Sequence, residues 1–447
     1  MSAALVTDLY ELNMAASYLG RGMVGPATFS LFVRQLPTSR GFLVAGGLES
    51  CLSCLEAFGF ADDELEWLAG QGFDHDTIER FRRLRFTGEV WAVPEGRIVG
   101  ANEPLLEVSA PIAEAQLMET ILLNQVTFQT ALATKAARCR IAAADRFELV
   151  DFSLRRTHGV DAGMAAARLS AMVGFSATSN VEAARRYGLR PAGTMAHSYV
   201  EAFPTEGEAF RAFAEDFPGR TTFLVDTYDT LDGVRTAIDV IGDLDLRDNV
   251  GIRLDSGDLA GLARAARAML DDAGLHRVRI FASGGLDELD LQRFAVSRAP
   301  IDAVGVGTQM GVSADAPSLD SAYKLVAYDG RPVLKLSAEK MTMPGAKQVH
   351  RSSPPTPDLL ALRDEPATPA SEPLLLPVMR HGRRLAPDTL DQAQTRFERD
   401  LAALPASALD LGTPQAPSTR VSEQLTALAA DLAARIHQRT RRTAATS

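Results

Sequence analysis

From Phe147 onward, short apolar runs recur along the chain: ELVDFS, VGFSA, AGTMA, TTFLVD, VGIRLD, RIFAS and AVGVG. Segments with helical spacing separate most of them, such as DTLDGVRTAIDVIG and GDLAGLARAARAMLDDAG. Strand and helix in alternation, about seven times over, predict an α/β fold with a parallel sheet, an irregular and incomplete α/β barrel. Polar residues or glycines follow each run: Arg155 and Arg156; Ser179 and Asn180; His197 and Ser198; Asp226 and Asp229; Asp255, Ser256 and Asp258; Ser283, Gly284 and Gly285; Gly307 and Thr308. In a parallel barrel those positions share one mouth, at the strand C-termini, and ligands bind there.

The flanking segments follow another pattern. Residues 1–20 read as a helix with Thr7 as its N-cap, and Tyr10 is the unusual side chain on it, read by default as an ordinary aromatic of an amphipathic helix. A strand (ATFSLFVRQ) and a Gly-rich connection follow, then mostly helix over 48–84 and short strands over 86–112, with turns at Pro94-Glu95-Gly96 and Ala101-Asn102-Glu103-Pro104. Helices beside an antiparallel sheet predict an α+β domain. Beyond the barrel, YKLVAYDGRPVLKL reads as a hairpin turning at Asp329-Gly330. The proline-rich stretch 353–377 reads as a linker or an irregular excursion, and two helical segments close the chain. The division is an N-terminal domain over 1–145, the barrel over 146–325 and a C-terminal segment over 326–447.

Composition narrows the class. The formal net charge is −11, from 46 basic and 57 acidic side chains, which argues against a nucleic-acid or membrane-surface protein. No apolar run is long enough to span a bilayer, and the first residues lack the pattern of a signal peptide, so a cytoplasmic protein is expected. Cys51 and Cys54 form a CxxC pair without the second pair that a zinc site needs, and they read as small residues on a packed helix. Cys139 reads as core.

Several loops carry chemistry. ASGGLDE places Ser283, Gly284 and Gly285 between a strand and a helix, where backbone N–H groups and a helix N-terminus cradle phosphate. GVGTQ adds Gly305, Gly307 and Thr308 on the next strand, and the last two loops of a barrel often hold a phosphate. GIRLDSGDL groups Arg253 with Asp255 and Asp258. The two acids suit ribose hydroxyls or Mg²⁺ held through water, while Asp258 reads equally as a helix N-terminal acid. A buried Arg253 needs an anion, either a neighbouring Asp or a ligand carboxylate. Arg155 and Arg156 suit a pyrophosphate clamp, or a salt bridge with Asp161 or Glu182. His197, at a strand end with Thr194 before it, suits a base, a phosphate donor or a phosphoryl acceptor.

Taken together, TDLYELNMA, LNQVTFQTALATKAAR, DFSLRRTHGVDAG, TSNVEAARRYG, GTMAHSYVEAF, VDTYDT, GIRLDSGDL, ASGGLDE, GVGTQ and KLSAEKMTMPGAKQVHR, in that order, resemble nicotinate phosphoribosyltransferases. The resemblance covers roughly residues 5–352. It implies a type II phosphoribosyltransferase fold: an α/β barrel plus a sandwich-like α+β domain built from the N-terminal and C-terminal segments. It implies an ATP-dependent enzyme, classed as a ligase, that joins nicotinate to 5-phosphoribosyl 1-pyrophosphate in NAD biosynthesis. ATP would be a co-substrate and Mg²⁺ a cofactor held by Asp255 and Asp258.

By position, His197 matches the family's phosphorylated histidine, and Asp255 is read beside it as a candidate catalytic residue. Tyr10, Thr194 and Arg253 match contacts to nicotinate. Arg155, Arg156, Ser283, Gly284, Gly285, Gly307 and Thr308 take the phosphoribosyl pyrophosphate, Thr308 matching a family contact directly. A homodimer with shared active sites is implied, Tyr10 and the lysine-rich stretch Lys335–Lys347 serving the partner. His158 departs from the glutamine common at its place, and the arginine pair follows Ser153-Leu154 where many relatives have a glycine nearby. The alternatives are a nicotinamide or quinolinate phosphoribosyltransferase, or a non-catalytic sensor of phosphoribosyl ligands.

Overall fold

The structure is a computed structural model, and it describes residues 4–336, 342–352, 357–367 and 369–446. The chain forms two compact units, residues 132–317 and residues 4–131 with 318–446. The division falls inside one long helix, Glu119–Ala143.

The 132–317 unit is a mixed α/β structure built on a six-stranded parallel sheet. Its order is Ala177–Thr178, Glu148–Asp151, Ala303–Val306, Arg279–Ala282, Gly251–Leu254, Thr222–Leu224. The strands Gly251–Leu254 and Ala303–Val306 are buried at every position, as expected of parallel strands covered on both faces. The connecting helices start at side-chain caps: Asn180, Asp229, Asp258 and Asp287 each accept from a backbone N–H of the first turn. These caps fix where each strand-to-helix loop ends.

One of the seven runs does not become a strand. An isolated bridge joins Pro191, just before AGTMA, to Thr178, and the run itself continues as open chain to His197. Gly193 adds flexibility there, and Thr194 is the run's one β-branched residue, so little in it favours a ladder. Its open course leaves Thr194 free to turn toward Arg253.

The other unit carries a seven-stranded sheet of antiparallel pairs. Pro26–Val33 lies between Ser321–Tyr328 and Pro104–Pro111, and Glu89–Ala92 pairs with Leu376–Arg380. Phe29 and Tyr323 stack at 4.8 Å in its core, and the Tyr323 hydroxyl donates to the Ala115 carbonyl. The Asp329-Gly330 turn has both residues at positive φ, as a two-residue hairpin requires. The first helix is Leu9–Gly20 with Asp8 at its N-cap, not Thr7, whose hydroxyl donates instead to Glu11.

The proline-rich stretch is not a linker. Asp358–Leu362 pairs with Lys347–Arg351, and Glu372–Pro373 and Leu376–Arg380 are strands as well. Among the described prolines, Pro373 ends the two-residue strand Glu372–Pro373, and Pro377 sits at a register shift of Leu376–Arg380 against Glu89–Ala92. Cys51 and Cys139 are buried and Cys54 half-buried, all free thiols whose ionisation burial pushes up. Among the described residues, no helix is long and apolar enough to cross a membrane.

Candidate active site

The strand Gly251–Leu254 is buried along its length and carries one charged residue, Arg253. That side chain must find its partners inside. Its Nε donates to Ser283 Oγ at 2.8 Å, one terminal nitrogen to Thr194 Oγ1 at 3.0 Å, and the other to Asp255 Oδ1 at 2.6 Å. The guanidinium also stands 5.5 Å from the centre of the Phe152 ring, which stacks on Phe281. A guanidinium has five N–H donors. Three are used here, which leaves one on each terminal nitrogen, and such a pair suits a carboxylate taken bidentately. The sequence left open whether Arg253 faces an Asp or a ligand; the geometry pairs it with Asp255 and keeps two donors in reserve.

Asp255 closes the same cluster. Burial pushes its carboxyl up, but the Ser283 hydroxyl, at 2.5 Å, and the Arg253 charge outweigh burial and hold it below the usual carboxylate range, with His197 assisting. It is therefore an anion at neutral pH. The next loop supports it from behind: Asp226 Oδ2 accepts from the Asp255 N–H at 2.9 Å and from Ser256 Oγ at 2.8 Å.

His197 is the first residue of the helix His197–Glu201. Its Nδ1 lies 3.2 Å from Thr227 Oγ1. Asp226 and Thr227 are consecutive, so one loop braces both Asp255 and His197. Beside it, Asp226 Oδ1 and Glu206 Oε1 are buried without a hydrogen-bond partner. Burial, and the charges of Asp232, Asp226 and Asp229, push the Glu206 carboxyl up to about 7.

Two glycine loops complete the strand ends. Gly284 has φ +113°, and a Cβ there would stand 2.1 Å from the Asp255 carbonyl oxygen. Only glycine allows Ser283–Gly285 to lie against Asp255 in this way. A Cβ on Gly307 would stand 3.0 Å from the Phe152 carbonyl oxygen, and one on Gly311 would meet the Ser153 side chain. The short helix Thr308–Gly311 therefore sits beside the turn Leu154–Arg156. Arg155 and Arg156 are exposed there. Neither makes an ion pair among the described residues, and Glu182 pairs with Arg185 and Arg186 instead.

Other site residues fall elsewhere. Asp258 caps the helix Leu259–Asp272, its carboxylate accepting from Gly261 N at 3.1 Å. That is the helix-terminus role, and no cluster of three or more His, Cys, Asp or Glu side chains that could hold a metal occurs among the described residues. Tyr10 belongs to the other unit, on Leu9–Gly20, and is 45% exposed. Partial burial and the carboxylates of Glu119, Glu11 and Asp8 push its hydroxyl up. Of the lysine-rich stretch Lys335–Lys347, residues 337–341 lie outside the described residues.

Sequence reasoning named neither Phe152 nor Thr227 as a site residue. For Thr227 the signal existed: it directly follows the run TTFLVD, as His197 follows AGTMA, whereas Phe152 lies inside the run ELVDFS and reads as an ordinary strand residue. A cavity of about 810 Å³ also opens along the sheet, lined by Thr194 and Phe152 at one end and by strand-starting residues such as Glu148, Thr222 and Arg279 at the other. It touches the Arg253 cluster through Thr194 and Phe152.

Residues 5–127 match the nicotinate phosphoribosyltransferase (NAPRTase) N-terminal domain, and residues 147–343 match the nicotinate phosphoribosyltransferase (NAPRTase) family. The chain is 47% identical to nicotinate phosphoribosyltransferase pncB2 of Mycobacterium tuberculosis, over 95% of this chain and 94% of that protein. It is 45% identical to nicotinate phosphoribosyltransferase of Bacillus subtilis, over 78% of this chain and 73% of that one. The crystal structure of human nicotinic acid phosphoribosyltransferase superimposes with a TM-score of 0.84 at 30% identity, covering 95% of this chain and 99% of that chain.

Proposed function

The chain belongs to the nicotinate phosphoribosyltransferase family, and on that premise we infer that it joins nicotinate to the ribose of 5-phosphoribosyl 1-pyrophosphate, forming nicotinate mononucleotide for NAD biosynthesis. The observation that carries the reading is Arg253: buried, packed on Phe152, and holding two donors ready for a carboxylate. The glycine loops at Ser283–Gly285 and Gly307–Thr308 take the ribose 5-phosphate through backbone N–H groups and the Thr308 hydroxyl. The free, exposed Arg155 and Arg156 take the pyrophosphate. The pyridine nitrogen already has a lone pair, so the transfer needs no strong base. Attack at the anomeric carbon forms the C–N bond as pyrophosphate leaves, and the site works by holding anions and ring in line.

The finer features belong to the same proposal. The parallel sheet is the wall of an incomplete barrel, and the antiparallel unit is the sandwich-like domain. His197 is the acceptor of a phosphoryl group from ATP, braced by Thr227. Asp255, ionised and facing the cluster, would hold Mg²⁺ through water on the pyrophosphate; Asp258, committed to its helix cap, is the weaker candidate. The ion would supply charge neutralisation there. Val6, Leu9 and Tyr10 leave apolar surface exposed, which supports a homodimer in which Tyr10 lies against the partner's pyridine ring.

Pyrophosphate release tests the reading. With nicotinate and the phosphoribosyl substrate, the enzyme should release one pyrophosphate for each nucleotide formed. Thr308→Val keeps the side-chain shape and removes one hydroxyl, and should raise the KM for the phosphoribosyl substrate about tenfold, with that for nicotinate little changed. A sensor would bind the phosphoribosyl compound and release no pyrophosphate.

A further inference from the structure

Two basic residues that the mechanism does not use lie deep in the 132–317 unit. Lys135 and Arg138 sit one turn apart on the helix Glu119–Ala143, both nearly inaccessible. Lys135 Nζ pairs with Glu288, itself 2% exposed, and stands 3.1 Å from Asp315 Oδ1. Arg138 Nε pairs with the same two acids, at 2.9 Å from Glu288 Oε1 and 3.9 Å from Asp315 Oδ2. Each of the two acids thus meets both cations.

What the two acids are attached to gives the cluster its meaning. Glu288 is the first residue of the helix Glu288–Val296, which begins just after Ser283–Gly285. Asp287 caps that helix by accepting from Leu289 N and Asp290 N, so Glu288 cannot move apart from the loop. Asp315 closes the turn after the helix Thr308–Gly311. That turn is tied back by Ala314 N to the Gln309 carbonyl and by Ala316 N to the Ser313 carbonyl. One lysine thus grips, through its two acids, the two loops that cradle the ribose phosphate.

We propose that Lys135 and Arg138 are positioning residues that set the spacing of the two phosphate-binding loops. A buried ion network costs desolvation that well-packed apolar side chains would not, so stability alone gives little reason to keep it. Its directional bonds fix the separation of two loop ends, which apolar packing specifies less sharply. A phosphate bound by backbone N–H groups from both loops depends on that separation. The argument rests on the reading of Ser283–Gly285 and Gly307–Thr308 as the phosphate cradle.

The test is steady-state kinetics of Lys135→Met and, separately, Glu288→Gln. Lys135→Met leaves Arg138 on Glu288, so one bridge of the network survives. Each variant should raise the KM for 5-phosphoribosyl 1-pyrophosphate about tenfold, while kcat and the KM for nicotinate stay within about twofold. Loss of melting temperature alone, or an equal rise in both KM values, overturns the clamp and leaves a structural network. Thr308→Val separates the two readings: if it raises the phosphoribosyl KM while Lys135→Met does not, the cradle stands and the clamp falls. If neither variant raises it, both fall.

Discussion

Replacing His197 by Asn is expected to end ATP hydrolysis and ATP stimulation together, and to leave slow, uncoupled ribosyl transfer. The imidazole lies at the start of a short helix with Nδ1 against Thr227, and the anionic Asp255 is close enough to feel its charge. In the proposed step a ring nitrogen forms a bond to the γ-phosphorus of ATP. The bond to the ADP oxygen breaks, and its electron pair leaves with ADP. Asparagine cannot accept the phosphoryl group, so hydrolysis by this route falls to background. In the proposed site the nicotinate and phosphate contacts belong to other residues, so transfer itself should survive. Labelled ATP should leave on the wild-type chain a phosphoryl group that is lost in acid and kept in base. Hydrolysis that continues in step with nucleotide formation in the mutant would show that His197 is not the acceptor. The same variant also tests the shared site: mixed with Tyr10→Ala subunits, it should recover part of the coupled activity once subunits exchange.

Arg253→Gln should cost nearly as much, and selectively. Nicotinate and nicotinamide differ in a carboxylate against an amide, so the preference must come from a contact that rewards charge. A charge-assisted hydrogen bond is worth about 1.5–3 kcal/mol. Each 1.4 kcal/mol is about tenfold, so the contact predicts roughly ten- to a hundredfold preference. Glutamine keeps a donor but loses both the charge and the fork. The kcat/KM for nicotinate should fall by that factor, nicotinamide should change little, and the ratio should flatten. Arg253 also holds Asp255, Ser283 and Thr194, so the melting temperature should fall as well. An unchanged ratio beside a lower melting temperature would assign Arg253 to structure alone.

Much of this site was legible in the chain because parallel strands leave a repeating trace. A short apolar run followed by polar residues marks a strand C-terminus, and that pattern singles out Asp255, Ser283 and Thr308 as strand-end candidates, with Arg253 inside the run before them. What pattern could not supply was orientation. Whether Arg253 points inward depends on strand phase and on which neighbours it meets, and those neighbours lie 30 and 59 positions away in sequence, at Ser283 and Thr194. Asp258 shows the same limit, since an acid after a strand can hold an ion or cap the next helix, and only the Gly261 N–H decides it. AGTMA reads as a strand because its composition is apolar, but the chain there meets the sheet only in the isolated bridge around Pro191, where Thr178 N donates to the Arg190 carbonyl and Ala192 N to the Thr178 carbonyl. Asp358–Leu362 was hidden by the prolines around it, although its own residues, DLLAL, are strand-like.

The most direct measurement is nucleotide formation from nicotinate, nicotinamide and quinolinate in parallel, each with 5-phosphoribosyl 1-pyrophosphate, with and without ATP. The account predicts nicotinate mononucleotide from nicotinate, faster with ATP, about ten- to a hundredfold less efficient turnover of nicotinamide, and no product from quinolinate. Nicotinamide used as well as nicotinate, or no product from nicotinate under either condition, would contradict it.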